Sequence, residues 1–278
     1  MNRLSIERRA QVIGALVEGN SIRATCRMTG TAKGTVLRLL SSVGQACADY
    51  QDATLRDLTC QTIQCDEIWA FCHSKAKNVP LDKQGEFGYG DVWTWTAIDA
   101  DSKLVPSWLV GLRDAGYAYE FMTDLASRLS HRVQITTDGH RPYLMAVEDA
   151  FGSQVDYAVL MKLYGASQEP ETRYSPAQCI GVRRTVIQGN PDPALVNTSY
   201  VERQNLTMRM SMRRFTRLTN AFSKKVENLE HAVALNFMWY NFGRPHKSLG
   251  NMTTPAMAAG VSDHVWTLKE IVALADSN

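Results

Sequence analysis

Apolar positions follow a helical spacing near the start of the chain, alternate after residue 60, and return to helical spacing beyond residue 198. From Ser5 to Glu18, Ile6, Val12, Ile13, Leu16 and Val17 form one face, and Ser5 is placed to cap it. Gly19-Asn20 stops this helix. Ser21 opens a second, with Ile22, Ala24, Thr25 and Met28 as core positions. Thr29-Gly30 turns the chain, and Thr31 to Ser42 resumes as a third helix, with Val36, Leu39 and Leu40 inward and Lys33, Thr35 and Arg38 outward. Short helices joined by a Gly-containing turn outline a helix-turn-helix, which presents the early residues of its last helix to base edges in a DNA major groove. The expected unit is 1–45, followed by a helical linker over 46–60.

Alternation then predicts strands. Ile63, Cys65, Glu67 and Trp69 share one face and Gln64, Asp66, Ile68 and Ala70 the other. Residues 74–90 carry the turn residues of an exposed loop; DVWTWTAI (91–98) is a second strand, Asp99 to Ser102 a hairpin turn, and Leu104 to Val110 a third strand. A helix over Tyr117 to Leu129 leads to a short strand, Val133 to Thr137, which ends at Asp138. Arg141 to Phe151 is a helix with Leu144, Val147 and Phe151 inward, and Val155 to Leu163 a further strand. The pattern implies an α/β fold, a mixed five-stranded sheet with flanking helices, preceded by the small all-α unit. Residues 164–197 look like an insertion containing a small hairpin around Ile180 to Ile187. A helix over Thr198 to Arg217 places Val201, Met208, Met212 and Phe215 on one stripe and Glu202, Arg209 and Arg213 on a second line. An apolar helix, Lys224 to Phe242, follows. The catalytic unit is expected over 61–260, with a last helix in 261–278 opened by the capping box of Thr267 and Glu270.

The chain has 278 residues, 45% of them apolar and 21% charged, the composition of a soluble globular protein. No apolar run is long enough to span a membrane, and the N-terminus lacks the apolar core of a signal peptide, so a cytoplasmic location is expected. Of the six cysteines, Cys60, Cys65 and Cys72 with His73 raise a zinc site, but no standard ligand spacing is present and scattered reduced thiols are expected. The net charge of +2 conceals two basic islands. Residues 1–50 carry seven Lys/Arg against three Asp/Glu, and residues 201–225 carry seven against Glu202 alone. Basic islands in an otherwise acidic body point to local contact with a polyanion.

Three acids stand out. Asp66 lies inside a strand, where an unpaired Asp is unfavourable; Asp138 sits at a strand's C-terminal end, where ligand sites of α/β sheets gather; Glu202 is alone among arginines. Three carboxylate donors suit Mg²⁺, with Mn²⁺ expected to substitute, because a hard cation with few protein ligands completes its shell from water and substrate phosphate. Two such ions would hold the attacking and leaving oxygens of a phosphodiester. Glu67 and Asp91 read as supporting acids, and His140 and His246 either as groups that orient water or phosphate or as satisfied hydrogen-bonding histidines.

With these residues in view, the chain resembles DDE transposases with a ribonuclease H-like core, and most closely the IS1 family. The resemblance is carried by IQCDEIWAF (63–71), GDVWTWTAIDADSKLVPSWLVG (90–111), TTDGHRPYL (136–144), the stretch 198–225, YNFGRPHKSL (240–249) and TTPAMAAG (253–260). It implies that Asp66, Asp138 and Glu202 are the metal-binding catalytic triad and that Arg209 contacts DNA near the scissile phosphate. The 63 residues between Asp138 and Glu202 exceed the interval in shorter members, in keeping with the insertion. The zinc-binding N-terminal segment of some relatives is absent here. The implied activity is Mg²⁺-dependent cleavage at the ends of an insertion sequence and strand transfer into target DNA. The implied partner is double-stranded DNA, as terminal inverted repeats and as target, bound by a homodimer or larger assembly in the nucleoid. Lys33, Thr35 and Arg38 would read the repeat; Arg209, Arg213, Arg214, Arg217, Lys224 and Lys225 would hold phosphates. Two other classes are compatible with the same residues: a non-catalytic DNA-binding regulator derived from a transposase, and a structure-specific nuclease without strand transfer.

Overall fold

Residues 4–165, 179–216, 220–250 and 252–276 are described by the structure, a computed structural model. Its first helices are α1 (Ile6–Val17), α2 (Ile22–Thr29) and α3 (Lys33–Thr54), and the side chains of Ser5 and Ser21 cap the first two. Gly30 ends α2 at a φ of 60°, a left-handed conformation that costs glycine least. Met28, expected inside, is 66% exposed; Thr25 and Thr29 take the inward positions. α3 does not stop at Ser42. It runs on through the stretch expected as a linker, because Val43, Ala46, Cys47 and Gln51 keep a buried face. That face packs on α7 (Val226–Met238), where Gln51 Nε2 donates to Ala234 O at 3.1 Å. At Gly44 the two helices are so close that a Cβ would lie 2.5 Å from His231 O.

Among the described residues the sheet has six strands rather than five: β1 (Thr62–Cys72), β2 (Gly90–Asp99), β3 (Trp108–Gly111), β4 (Val133–Thr137), β5 (Val155–Tyr164) and β6 (Cys179–Gln188). Their order is β3-β2-β1-β4-β5-β6. β1, β2 and β3 are antiparallel neighbours, β4 is parallel to both β1 and β5, and β6 is antiparallel to β5. The expected hairpin around Ile180 to Ile187 is the single edge strand β6. IGVRRTVI lacks an internal turn signal, and its backbone groups pair along β5 instead. Residues 166–178 of the expected insertion lie outside the described residues. β3 starts at Trp108, not Leu104, since Pro106 has no N–H to give the ladder. Val105 pairs with a side chain instead: its N–H donates to Asn241 Oδ1 at 3.0 Å, and Asn241 Nδ2 donates to its carbonyl at 2.9 Å.

Helices cover both sheet faces. On one, Trp95 of β2 meets Phe121 of α4 (Ala115–Arg128) and Tyr143 of α5 (Pro142–Phe151). In α5, Val147 is buried and Phe151 packs against the core as expected, while Leu144 is exposed and Tyr143 and Ala146 take inward positions. On the other face, Gln64 Oε1 accepts from the N–H groups of Tyr200 and Val201 in α6 (Ser199–Ser211), at 2.8 and 3.2 Å. α6 is shorter than expected. The stripe Val201, Met208, Met212 and Phe215 is buried, but Met212 is extended (φ −125°, ψ 108°), so Phe215 reaches the core from a 3₁₀ turn, Arg213–Phe215. Arg213 and Arg214 therefore leave the line of Glu202 and Arg209, and Arg217 lies outside the described residues. After α8 (Pro255–Ala258), the last helix, α9 (Leu268–Ala273), is opened by the expected capping box. It packs on α1, where Arg9 forms a bidentate pair with Asp276 at 2.6 and 2.8 Å. No helix among the described residues is long and apolar enough to cross a membrane.

Candidate active site

The parallel pairing of β1 with β4 ends at Cys65 and Thr137, so Asp66 and Glu67 run past the end of β4. Asp138, the first residue after β4, enters the gap beside them. One carboxylate oxygen from each of Asp66, Glu67 and Asp138 lies within 4.8 Å of the others. Glu67 was expected to play a supporting part. Adjacent strand residues face opposite sides of a sheet, yet beyond the last partner of β4 both side chains reach the same gap. Glu202 comes from the first turn of α6, and with Asp66 and Asp138 it lines one cleft of about 830 Å³.

Each carboxylate is held by a neighbour. Asp66 Oδ1 accepts from the Glu67 N–H at 2.8 Å, and its Oδ2 from Asn205 Nδ2 of α6 at 2.9 Å. Asp138 Oδ1 accepts from the His140 N–H at 2.9 Å. Arg113, just after β3, donates through Nε to Glu67 Oε2 at 3.0 Å and places Nη2 3.8 Å from Asp138, with its guanidinium 4.8 Å from the Trp93 ring centre. Glu202 is paired with Lys162 of β5 and accepts from Thr198 Oγ1 at 2.6 Å. Burial raises the Asp66 carboxyl to about 6, and the charges of Asp138 and Glu202 push the same way, against the Glu67 N–H and Asn205. Burial likewise raises Glu67 to about 7. Its Oε1 and the buried Tyr143 hydroxyl lie near each other, yet neither has a partner of normal hydrogen-bond geometry. His140 is pushed toward its neutral form by burial and then by Arg113, opposed by Asp138.

The other expected residues lie elsewhere. Lys33 and Arg38 are exposed at the start of α3, with Arg38 Nη2 3.4 Å from Thr35 Oγ1. Arg213, Lys224 and Lys225 are exposed. Arg214 is turned inward: Nε donates to Ser223 Oγ at 2.8 Å beside Cys72, and burial lowers its guanidinium to about 10. Cys60, Cys65 and Cys72 are core residues. Arg113 and Lys162 carry no sequence signal that marks them. Asn205 does carry one, since it lies three residues after Glu202 on the same helical face.

No protein-family model and no curated protein matches the chain. Among solved structures it is similar to "Mos1 transposase paired-end complex with left transposon end", with 13% identity and a TM-score of 0.25 over 57% of this chain and 60% of that one. It is also similar to "Crystal structure of the Mos1 Strand Transfer Complex", with 12% identity and a TM-score of 0.25 over 87% and 78%. The chain thus spans about 60% of the length of the first of these. A TM-score of 0.25 assigns no family.

The donor set fits a hard divalent cation. Carboxylate oxygens from separate elements converge, burial and then neighbouring carboxylates disfavour the charged forms of Asp66 and Glu67, and Glu67 Oε1 is left without a partner.

Proposed function

We propose that the chain is a DNA transposase of an insertion sequence, with a ribonuclease H-like catalytic core of the DDE type and affinity to the IS1 family. The observation that carries this reading is the convergence of Asp66, Asp138 and Glu202, from β1, the end of β4 and α6, on one open cleft. The alternation of antiparallel β1–β3 with parallel β4 and β5 agrees with such a core. Asp66, Asp138 and Glu202 would hold Mg²⁺ or Mn²⁺, with Glu67 within reach of the same position. The metal would supply Lewis-acid polarisation of a phosphoryl oxygen and a lowered pKa for attacking water.

The chain's own residues position the rest. Asn205 fixes the Asp66 carboxylate, Thr198 and Lys162 fix that of Glu202, and Arg113 spans Glu67 and Asp138. Lys162 and Arg113 also bring positive charge to a cleft that would take a phosphodiester. In the first step a water oxygen attacks phosphorus at the element end and the 3′ oxygen leaves, taking a proton. In the second, that 3′-hydroxyl attacks a target phosphodiester and displaces its 3′ oxygen. The exposed start of α3, with Lys33, Thr35 and Arg38, would read the terminal repeat, α2 and α3 acting as a helix-turn-helix. Arg209, Arg213, Lys224 and Lys225 would hold phosphates, in a cytoplasmic, nucleoid-associated dimer or larger assembly that brings two ends together.

The test is a labelled element end incubated with Mg²⁺ and plasmid target. Wild-type protein should yield both nicked and joined DNA, and Asp138→Asn or Glu202→Gln should yield neither. Near-normal cutting by these variants sinks the triad; cutting without joined product reduces the protein to a nuclease.

A further inference from the structure

A second cleft, of about 410 Å³, lies against the opposite side of α6. Tyr200, Arg203, Gln204 and Thr207 recur at spacings of three and four and form one face of the helix; Glu202, Asn205 and Arg209 form the other. The facing wall is the segment after α7 that contains Arg244, His246 and Lys247, closed by Lys103 from the β2–β3 turn. No carboxylate lines this cleft among the described residues. Arg203, Arg244 and Lys247 are exposed and have no hydrogen-bond or ion-pair partner there.

Lys103 distinguishes this place from a solvated basic surface. It is buried, its ammonium lies 3.9 Å from the Tyr200 ring centre, and its other contacts are the carbonyls of Ala100 and Asp101. It is also held at a φ of 62°, where glycine or asparagine would fit at lower cost. Its charge is met by carbonyl dipoles and the Tyr200 ring and not by a carboxylate, so it adds to the positive field that an incoming anion would meet. His246 registers the same field: burial first, then Lys103, Arg244 and Arg203, push its imidazole toward the neutral form.

We infer that the cleft of Lys103, Arg203, Arg244 and Lys247 binds a backbone phosphate of the same DNA duplex whose scissile phosphate enters the carboxylate cleft. This rests on the DNA-processing reading. It adds a contact one helix diameter away, about 10–12 Å, or about three base pairs along a duplex that carries a phosphate every 3.4 Å per strand. YNFGRPHKSL would thus be a DNA-positioning element on the far side of α6 from the chemistry.

The experiment measures duplex affinity against salt for wild type, for Arg203→Gln, Arg244→Gln and Lys247→Gln, and for the triple variant. Melting temperatures serve as a check on folding. Each single change should weaken binding at low salt, equally for element-end and unrelated duplexes, and the triple variant should lose the one phosphate contact, reducing the slope of log affinity against log salt by about 0.9. A triple variant with the wild-type slope overturns the inference. Inorganic phosphate is the second probe. If it raises the melting temperature of wild type but not of the triple variant while duplex binding is unchanged, the site serves a free anion and the DNA assignment falls. If wild type cuts element ends but the variants keep its slope, this inference alone fails; if wild type binds no duplex, the transposase reading fails with it.

Discussion

Asn205 of α6 donates to the Asp66 carboxylate of β1 at 2.9 Å, tying the helix that carries Glu202 to the strand that carries Asp66. With the Gln64 bonds to Tyr200 and Val201, it joins the two elements that carry these proposed ligands. Asn205→Ala should therefore lower cleavage about 10-fold, the usual effect of losing a partner that orients a ligand. Stability should fall by about 1.5–3 kcal/mol, the value of one hydrogen bond to a charged group. Steady-state cleavage assays and denaturant unfolding on one preparation check both, and an unchanged rate removes Asn205 from the site.

Arg113 faces a buried acid. The Glu67 side chain is 0% exposed, and Arg113 is its ion-pair partner. Arg113→Ala should destabilise the protein by about 2 kcal/mol, because buried Glu67 must then stay charged without its partner or take up a proton. Glu67→Gln in the Arg113→Ala background should restore much of that loss. A double-mutant cycle by urea unfolding decides it, and strict additivity would show that the two side chains do not act together.

Gly44 tests the contact between the N-terminal helices and α7. On a free helix, Gly→Ala adds about 1 kcal/mol of stability. Here the new methyl would meet His231 O at 2.5 Å. Gly44→Ala should lose about 1–3 kcal/mol instead, by overpacking. A rise in melting temperature would show that α3 and α7 are further apart than described.

His264 gives a pH signature remote from the carboxylates. Its ring nitrogens lie 2.6 Å from Asp263 and 3.0 Å from Glu270, and hydrogen bonds to Asp263 and then Glu270 raise its pKa above 6.5. Since the folded value exceeds the unfolded one, the stabilisation is fully present below about pH 6.5 and is lost as pH climbs through the higher folded value. The stability difference between wild type and His264→Gln, followed by unfolding across this range, should shrink with rising pH. A difference that grows with pH contradicts the pairing.

Patterning revealed much of the scaffold but less of the site. β4 was legible to the residue, because VQITT is a short β-branched run bounded by polar positions. The capping box at Thr267 and the buried stripe of α6 were legible for equally local reasons. The end of α6 was not, because no glycine or proline marks it and the extended Met212 is imposed by packing. The role of β6 depended on the free edge of β5, a long-range fact. Glu67 was hidden by alternation itself, which assigns it to the face opposite Asp66. Only the early end of β4 lets both side chains reach Asp138.

That early end also sets what kind of change the protein tolerates. β4 spans five residues, Val133–Thr137, and Asp138 follows it directly. A substitution within β4 alters packing by the size of a side chain. One inserted residue would carry Asp138 about 3.3 Å along the strand and turn its side chain to the other face of the sheet. Drift in this lineage should thus be written as exchanges within β4, with insertions and deletions kept to the loops. The number of residues between the pairing of β1 and Asp138 is a ruler, and its length matters more than its composition.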